Sequence, residues 1–207
     1  MLETLNKANA KPVLASLILL AAITPSLPFA HIIIQSSMAF HMLIQIPLLV
    51  LAGYALKKIP NTADYSLAES LAQWLWVYLA GLFWMLPISL DKALLYPLWD
   101  LFKIISLLIT GAILKVVFLS HRVLALFFIG STAMMLFFVG FYYQETNVRL
   151  CNAYLIESQQ ETGTGLIIVA VLLLAILFWK IQQGLLEAEL TNLTLLNSQK
   201  RVQSGRK

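Results

Sequence analysis

Six apolar runs, each near the length needed to cross a bilayer, constrain this chain more than any motif in it. A spanning helix takes roughly 17–25 mostly apolar residues. Such runs lie at Val13 to about Phe29, Met38 to Leu56, Leu71 to about Leu90, Leu101 to Leu119, Val123 to about Tyr143, and Leu166 to about Ile181. Composition agrees. The 207 residues are 60% hydrophobic and 12% charged, where soluble domains sit at about 45–50% and about 25%. The expected fold class is an all-α integral membrane protein, a polytopic bundle of about six transmembrane helices. The bilayer is its first partner.

The positions of the cations give an orientation. With both termini inside, Lys7, Lys11, Lys57, Lys58, Lys115, Arg122, Lys180, Lys200, Arg201, Arg206 and Lys207 fall at or near the cytoplasm, and Lys92, Lys103 and Arg149 do not. The positive-inside rule favours that arrangement, and five or seven spans would break it. Trp74 and Trp76 at one end of the third run, with Trp84, Tyr96 and Trp99 at the other, read as interfacial belts. The expected location is a bacterial inner membrane. The first run resembles a leader, but Pro28 fits poorly before a cut after Ala30, so it is read as a span.

Residues 1–184 are read as the six-span domain and 185–207 as a cytoplasmic tail. In the tail, Leu185, Leu186, Leu190, Leu193 and Leu196 recur at helical spacing, which extends the last helix amphipathically before a basic end. One cysteine, Cys151, allows no internal disulfide. No Walker loop, GxGxxG, GxSxG or CxxC occurs, and no basic stripe with aromatics points to nucleic acid. No Ser–His–Asp set can be assembled at one depth, so no enzyme is expected. Lys103 and Lys115, near opposite ends of the fourth run, are read as snorkelling. The absence of mid-span charge then argues against proton-coupled transport.

One stretch stands out, "HIIIQSSMAFHMLIQ", residues 31 to 45. It holds two of the three histidines and two of the six methionines. On a helix, His31, Gln35, Met38, Met42 and Gln45 form one stripe with His41 on its shoulder. Thioether and imidazole suit copper, and thioether favours Cu(I). The candidate metal ligands are therefore His41, Met38, His31 and Met42, with Met85 and Cys151 approaching from other segments. Met as a gap-filler and His as an interfacial residue give the competing packing interpretation.

"FHMLIQIPLLVLAGYAL" (40–56) resembles the histidine-rich segment of CtaG-type membrane proteins. His41-Met42 matches the start of that family's His-Met-x-x-His, and Pro47 to Leu51 with Gly53 its continuation. "ESQQETGTGLII" (157–168) is similar to the stretch entering the family's last span. Gln45 replaces the second histidine, and Ser158 stands at the family's aspartate. The resemblance implies a copper-handling assembly factor for a terminal cytochrome oxidase, acting at the outer face, with an oxidase subunit as partner. The alternative is a non-catalytic accessory subunit of a membrane complex that docks through the fifth run, with Gly130, Ser131 and Ala133 allowing close approach. A haem carrier lacks paired axial histidines.

Overall fold

The computed structural model describes residues 15–27, 37–57, 65–118 and 121–204, with side chains as far as residue 184. His31 and Gln35 lie outside the described residues. Among those described, every regular element is a helix. These are α1 (Ala15–Ser26), α2 (Phe40–Leu56), α3 (Leu67–Met85), α4 (Pro87–Leu95), α5 (Pro97–Val117), α6 (Arg122–Glu145) and α7 (Ile156–Ser204).

The all-α expectation holds, and the span count is only partly met. α6, and α7 as far as Gly184, are long and apolar enough to cross a membrane. α3 with α4 makes a third if that bent pair is one span, while α1 and α2 are shorter apolar helices. α5 has 21 residues but carries Asp100, Lys103 and Lys115.

Local chemistry sets the boundaries. Ser66 caps α3: its hydroxyl accepts from Glu69 N–H at 3.2 Å while the Glu69 carboxylate accepts from Ser66 N–H at 2.9 Å, a reciprocal capping box. The third apolar run does not continue to Leu90 as one helix. Pro87 has no N–H to extend α3, Leu86 is extended, and the chain bends by 72° into α4. The gap between the fifth and sixth apolar runs, residues 144–165, is also mostly helical. α6 reaches Glu145 and α7 starts at Ile156.

Helix directions alternate. Trp84 meets Ser106 and Trp74 meets Phe118, so α3 and α5 are antiparallel. Gly140 meets Gly163 and Arg122 meets Lys180, so α6 and α7 are antiparallel. α2 and α5 run parallel, with His41 beside Lys103 and Lys57 beside Lys115. Two glycine crossings bring backbones together. A Cβ on Gly53 would strike the Leu108 carbonyl, and one on Gly111 the Val50 carbonyl. A Cβ on Gly140 would stand 2.7 Å from the Gly163 carbonyl, and one on Gly163 2.6 Å from that of Gly140. Apolar helices in lipid gain packing energy by such close approach.

The larger core joins Ala22, Met42, Leu49, Trp84, Leu90, Leu107, Tyr143, Cys151 and Leu166 at one end of the bundle. A smaller core of Trp74, Val117, Ala125 and Phe128 lies at the other. Trp74 and Trp84 are therefore core residues rather than belt residues, while Trp76 and Tyr96 are exposed. Outward faces are apolar: Leu172, Ile176, Phe178 and Trp179 on α7 are all more than half exposed.

Candidate functional site

The first turn and a half of α2, Phe40–Gln45, is a π-helix in which Ile46 N–H bonds to the His41 carbonyl. Pro47 explains it: proline cannot donate to the carbonyl four residues back and its ring collides with that group. A wider turn relieves both problems, and π turns of this kind recur at functional sites. The wider turn also changes which side chains face inward. Met38, His41, Met42 and Gln45 are all buried, so His41 moves from the shoulder of the expected stripe to its centre.

Lys103 does not snorkel. Its side chain is 0% exposed, and its ammonium meets three acceptors: Asp100 Oδ1 at 2.6 Å, His41 Nε2 at 2.9 Å and Gln45 Oε1 at 3.2 Å. An ammonium has donors and no acceptor; here it hydrogen-bonds to His41 and Gln45 and pairs by charge with Asp100. His41 Nε2 therefore accepts, the ring proton sits on Nδ1, and Nδ1–H donates to Tyr154 Oη at 2.9 Å. Gln45 Nε2 donates to Ser26 Oγ at 2.8 Å and faces the Ala22 carbonyl at 3.4 Å. One buried cluster thus ties α1, α2, α5 and the α6–α7 loop, with Asp100 neutralising Lys103.

The loop that presents Tyr154 is held from several sides. Arg149 donates to the carbonyls of Asn152 at 2.9 Å and Tyr154 at 3.0 Å. The Asp91 carboxylate accepts from Asn152 N–H at 2.8 Å. Buried Gln159 accepts from Leu150 N–H at 3.0 Å, and Met38 N–H donates to Ser158 Oγ at 2.9 Å. Burial raises the Tyr154 phenol above its ordinary range, with Cys151 and Asp91 adding to the shift. Cys151 is also buried, not presented to the outside as an outer-loop position would imply, and its thiol lies 3.5 Å from the Pro87 carbonyl. Burial, then the nearby Asp91 charge, pushes its pKa up to about 12.

The expected metal ligands meet only in part. Met38, Met42 and Cys151 share the larger core, and Met85 packs against it. His41 lies beside them, with both ring nitrogens engaged. Among the described residues, no three of His, Cys, Asp or Glu gather where they could hold a metal ion. A protonated thiol is also a poor copper ligand.

Sequence reasoning read Lys103 as snorkelling and passed over Asp100 and Tyr154. The available signal was Asp100 with Lys103, opposite charges three apart on one apolar helix, a spacing that lets them neutralise each other. Two cavities flank the cluster. One of about 500 Å³ is lined by Ser26, Asp100 and apolar residues of α1, α4 and α5. The other, about 380 Å³, is lined by Ser37, Tyr154, Glu157 and Glu161.

No family model, no curated protein and no solved structure matches this chain.

Proposed function

We propose that this protein is a non-catalytic accessory subunit of a larger membrane complex. It would be a six-span chain of a bacterial inner membrane with both termini in the cytoplasm. The observation that carries this reading is the engagement of the polar cluster: Lys103 hydrogen-bonds to His41 and Gln45 and pairs with Asp100, and both ring nitrogens of His41 are occupied. A base or ligand that already accepts from an ammonium has no lone pair to offer a substrate or metal. Such a cluster fixes how helices meet. The docking face is a groove of about 630 Å³ over Gly130 and Ser131, rimmed by Phe127, Met134 and Phe138. Small residues at its floor suit an apolar partner helix. Ala133, also expected on that face, is buried in the fold instead.

Purification of the tagged full chain from its own membranes in mild detergent tests this. A partner in fixed ratio should accompany the wild type and be lost with Gly130→Leu. A chain that purifies alone in both forms contradicts it.

A second reading keeps the copper-handling assembly role that the CtaG resemblance implies. Its support is the shared burial of Met38, Met42, Cys151 and Met85 beside His41. In that reading Lys103 would have to release His41 before metal could bind.

A further inference from the structure

At the end of the bundle away from His41, a cleft of about 690 Å³ opens between α6 and α7. Its walls are apolar, formed by Ala125, Leu126, Ile129, Leu173, Ile176 and Leu177, and its lining also includes Arg122, Lys180 and Gln183. Arg122 opens α6. Lys180 lies 24 residues after the start of α7, about 36 Å at 1.5 Å per residue. A bilayer core is about 30 Å thick, so these cations belong at a membrane boundary with the apolar cleft beneath them. Arg122 Nη2 donates to the Lys180 carbonyl at 3.3 Å, which holds the guanidinium against α7. Gly184 leaves room for it: a Cβ there would strike Arg122 Nη2 and stand 3.0 Å from its Cζ. Among the described residues the one ion pair is Lys103–Asp100, so neither Arg122 nor Lys180 is neutralised by a described carboxylate.

We propose that this cleft binds an anionic phospholipid. The phosphate lies between Arg122 and Lys180, and an acyl chain follows Ile129, Leu173 and Leu177. A guanidinium can grip phosphate oxygens in bidentate fashion while an ammonium adds a point charge. Basic pockets between spanning helices favour anionic headgroups in this way. A zwitterionic lipid offers the same chains but places its own cation among these two, and free phosphate offers the charge without the chains.

The test uses the full chain in vesicles of phosphatidylcholine and phosphatidylglycerol at four to one. After detergent extraction, the lipids retained are counted by native mass spectrometry. Wild type should retain phosphatidylglycerol at least about fivefold over its share of the mixture. The Arg122→Gln/Lys180→Gln variant should lose that preference. Lys180→Gln alone, at an exposed position, should reduce it and serves if the double variant fails to fold. Millimolar inorganic phosphate should leave the retained lipid in place. Equal retention of the two lipids by wild type would overturn the proposal, as would an unchanged preference in a folded variant. Displacement of the lipid by phosphate alone would assign the site to a free anion instead.

Discussion

At the His41 end, Lys103, Gln45, Tyr154 and Gln159 are buried and each finds a hydrogen-bond partner; the exception is Asp100 Oδ1, which pairs with the Lys103 charge at 2.6 Å without a hydrogen bond among the described residues. At the Arg122 end, Ser70 Oγ, Gln73 Oε1, Trp74 Nε1 and His121 Nε2 are buried without one among the described residues. Both ends sit in an apolar chain where an unpaired buried polar group costs about 1–3 kcal/mol. The same helices thus form a closed end, where most buried polar groups are matched internally and one carboxylate oxygen is held by charge alone, and a looser end, where four buried polar atoms lack a partner among the described residues. The closed end suits a fixed joint between helices. The looser end suits contact with something outside the fold.

The sharpest way to break this contrast is to remove the ammonium at the closed end. Lys103→Met leaves the partly buried Asp100 carboxylate without its cation; loss of one partner of a fully buried pair typically costs about 3–5 kcal/mol, and the partial exposure of Asp100 puts the expected loss at the lower end. Lys115→Met at the opposite end removes an exposed hydrogen bond to the Lys57 carbonyl and a cation–π contact with Tyr54 at 5.2 Å, and should cost about 1 kcal/mol. Thermal unfolding in one detergent compares them. Equal midpoints would mean that the closed end is not what holds the helices together.

Glycine crossings give the next largest effect. Gly140→Ala puts a methyl against the Gly163 carbonyl and should cost about 1–3 kcal/mol through overpacking. Gly130→Ala meets only the end of the Leu177 side chain at 3.4 Å and should be close to neutral. A costly Gly130→Ala would show that the groove is already filled by the fold itself.

These crossings also explain what the sequence made readable. The apolar runs located the helices at the level of the fold, because length and hydropathy dominate a helix in lipid. The start of α7 was hidden because "ESQQETGTG" looks like loop by composition. Its Gly163 instead lets α6 and α7 touch. Of the expected stripe, Met38, Met42 and Gln45 are buried together with His41, but the π turn at Pro47 altered their facing, and a regular helical period cannot express that. Lys103 was misjudged because a long stem can reach water or stay buried. Partners distant in sequence, His41 and Gln45, decide which.

Smaller effects sharpen the picture at the α6–α7 loop. Tyr154→Phe removes the acceptor for His41 Nδ1–H and should cost about 1–3 kcal/mol, read as a lower thermal midpoint. Cys151 gives a pH signature. Its pKa rises from 9.0 to about 12 on folding, so above pH 9 the unfolded thiol loses its proton before the folded one does. Stability should therefore fall as pH rises from about 9 towards 12, and Cys151→Ser should flatten that limb. Maleimide labelling at pH 8 should be slow in native protein and fast after unfolding. Rapid native labelling would mean that the loop opens.

The most direct test of the closed cluster is copper loading under reducing conditions, followed by metal analysis of wild type, His41→Ala and His121→Ala. With both His41 nitrogens held by Lys103 and Tyr154, the three proteins should retain the same small amount of copper. One copper per wild-type chain, lost with His41→Ala and kept with His121→Ala, would contradict the account and favour the copper-handling reading.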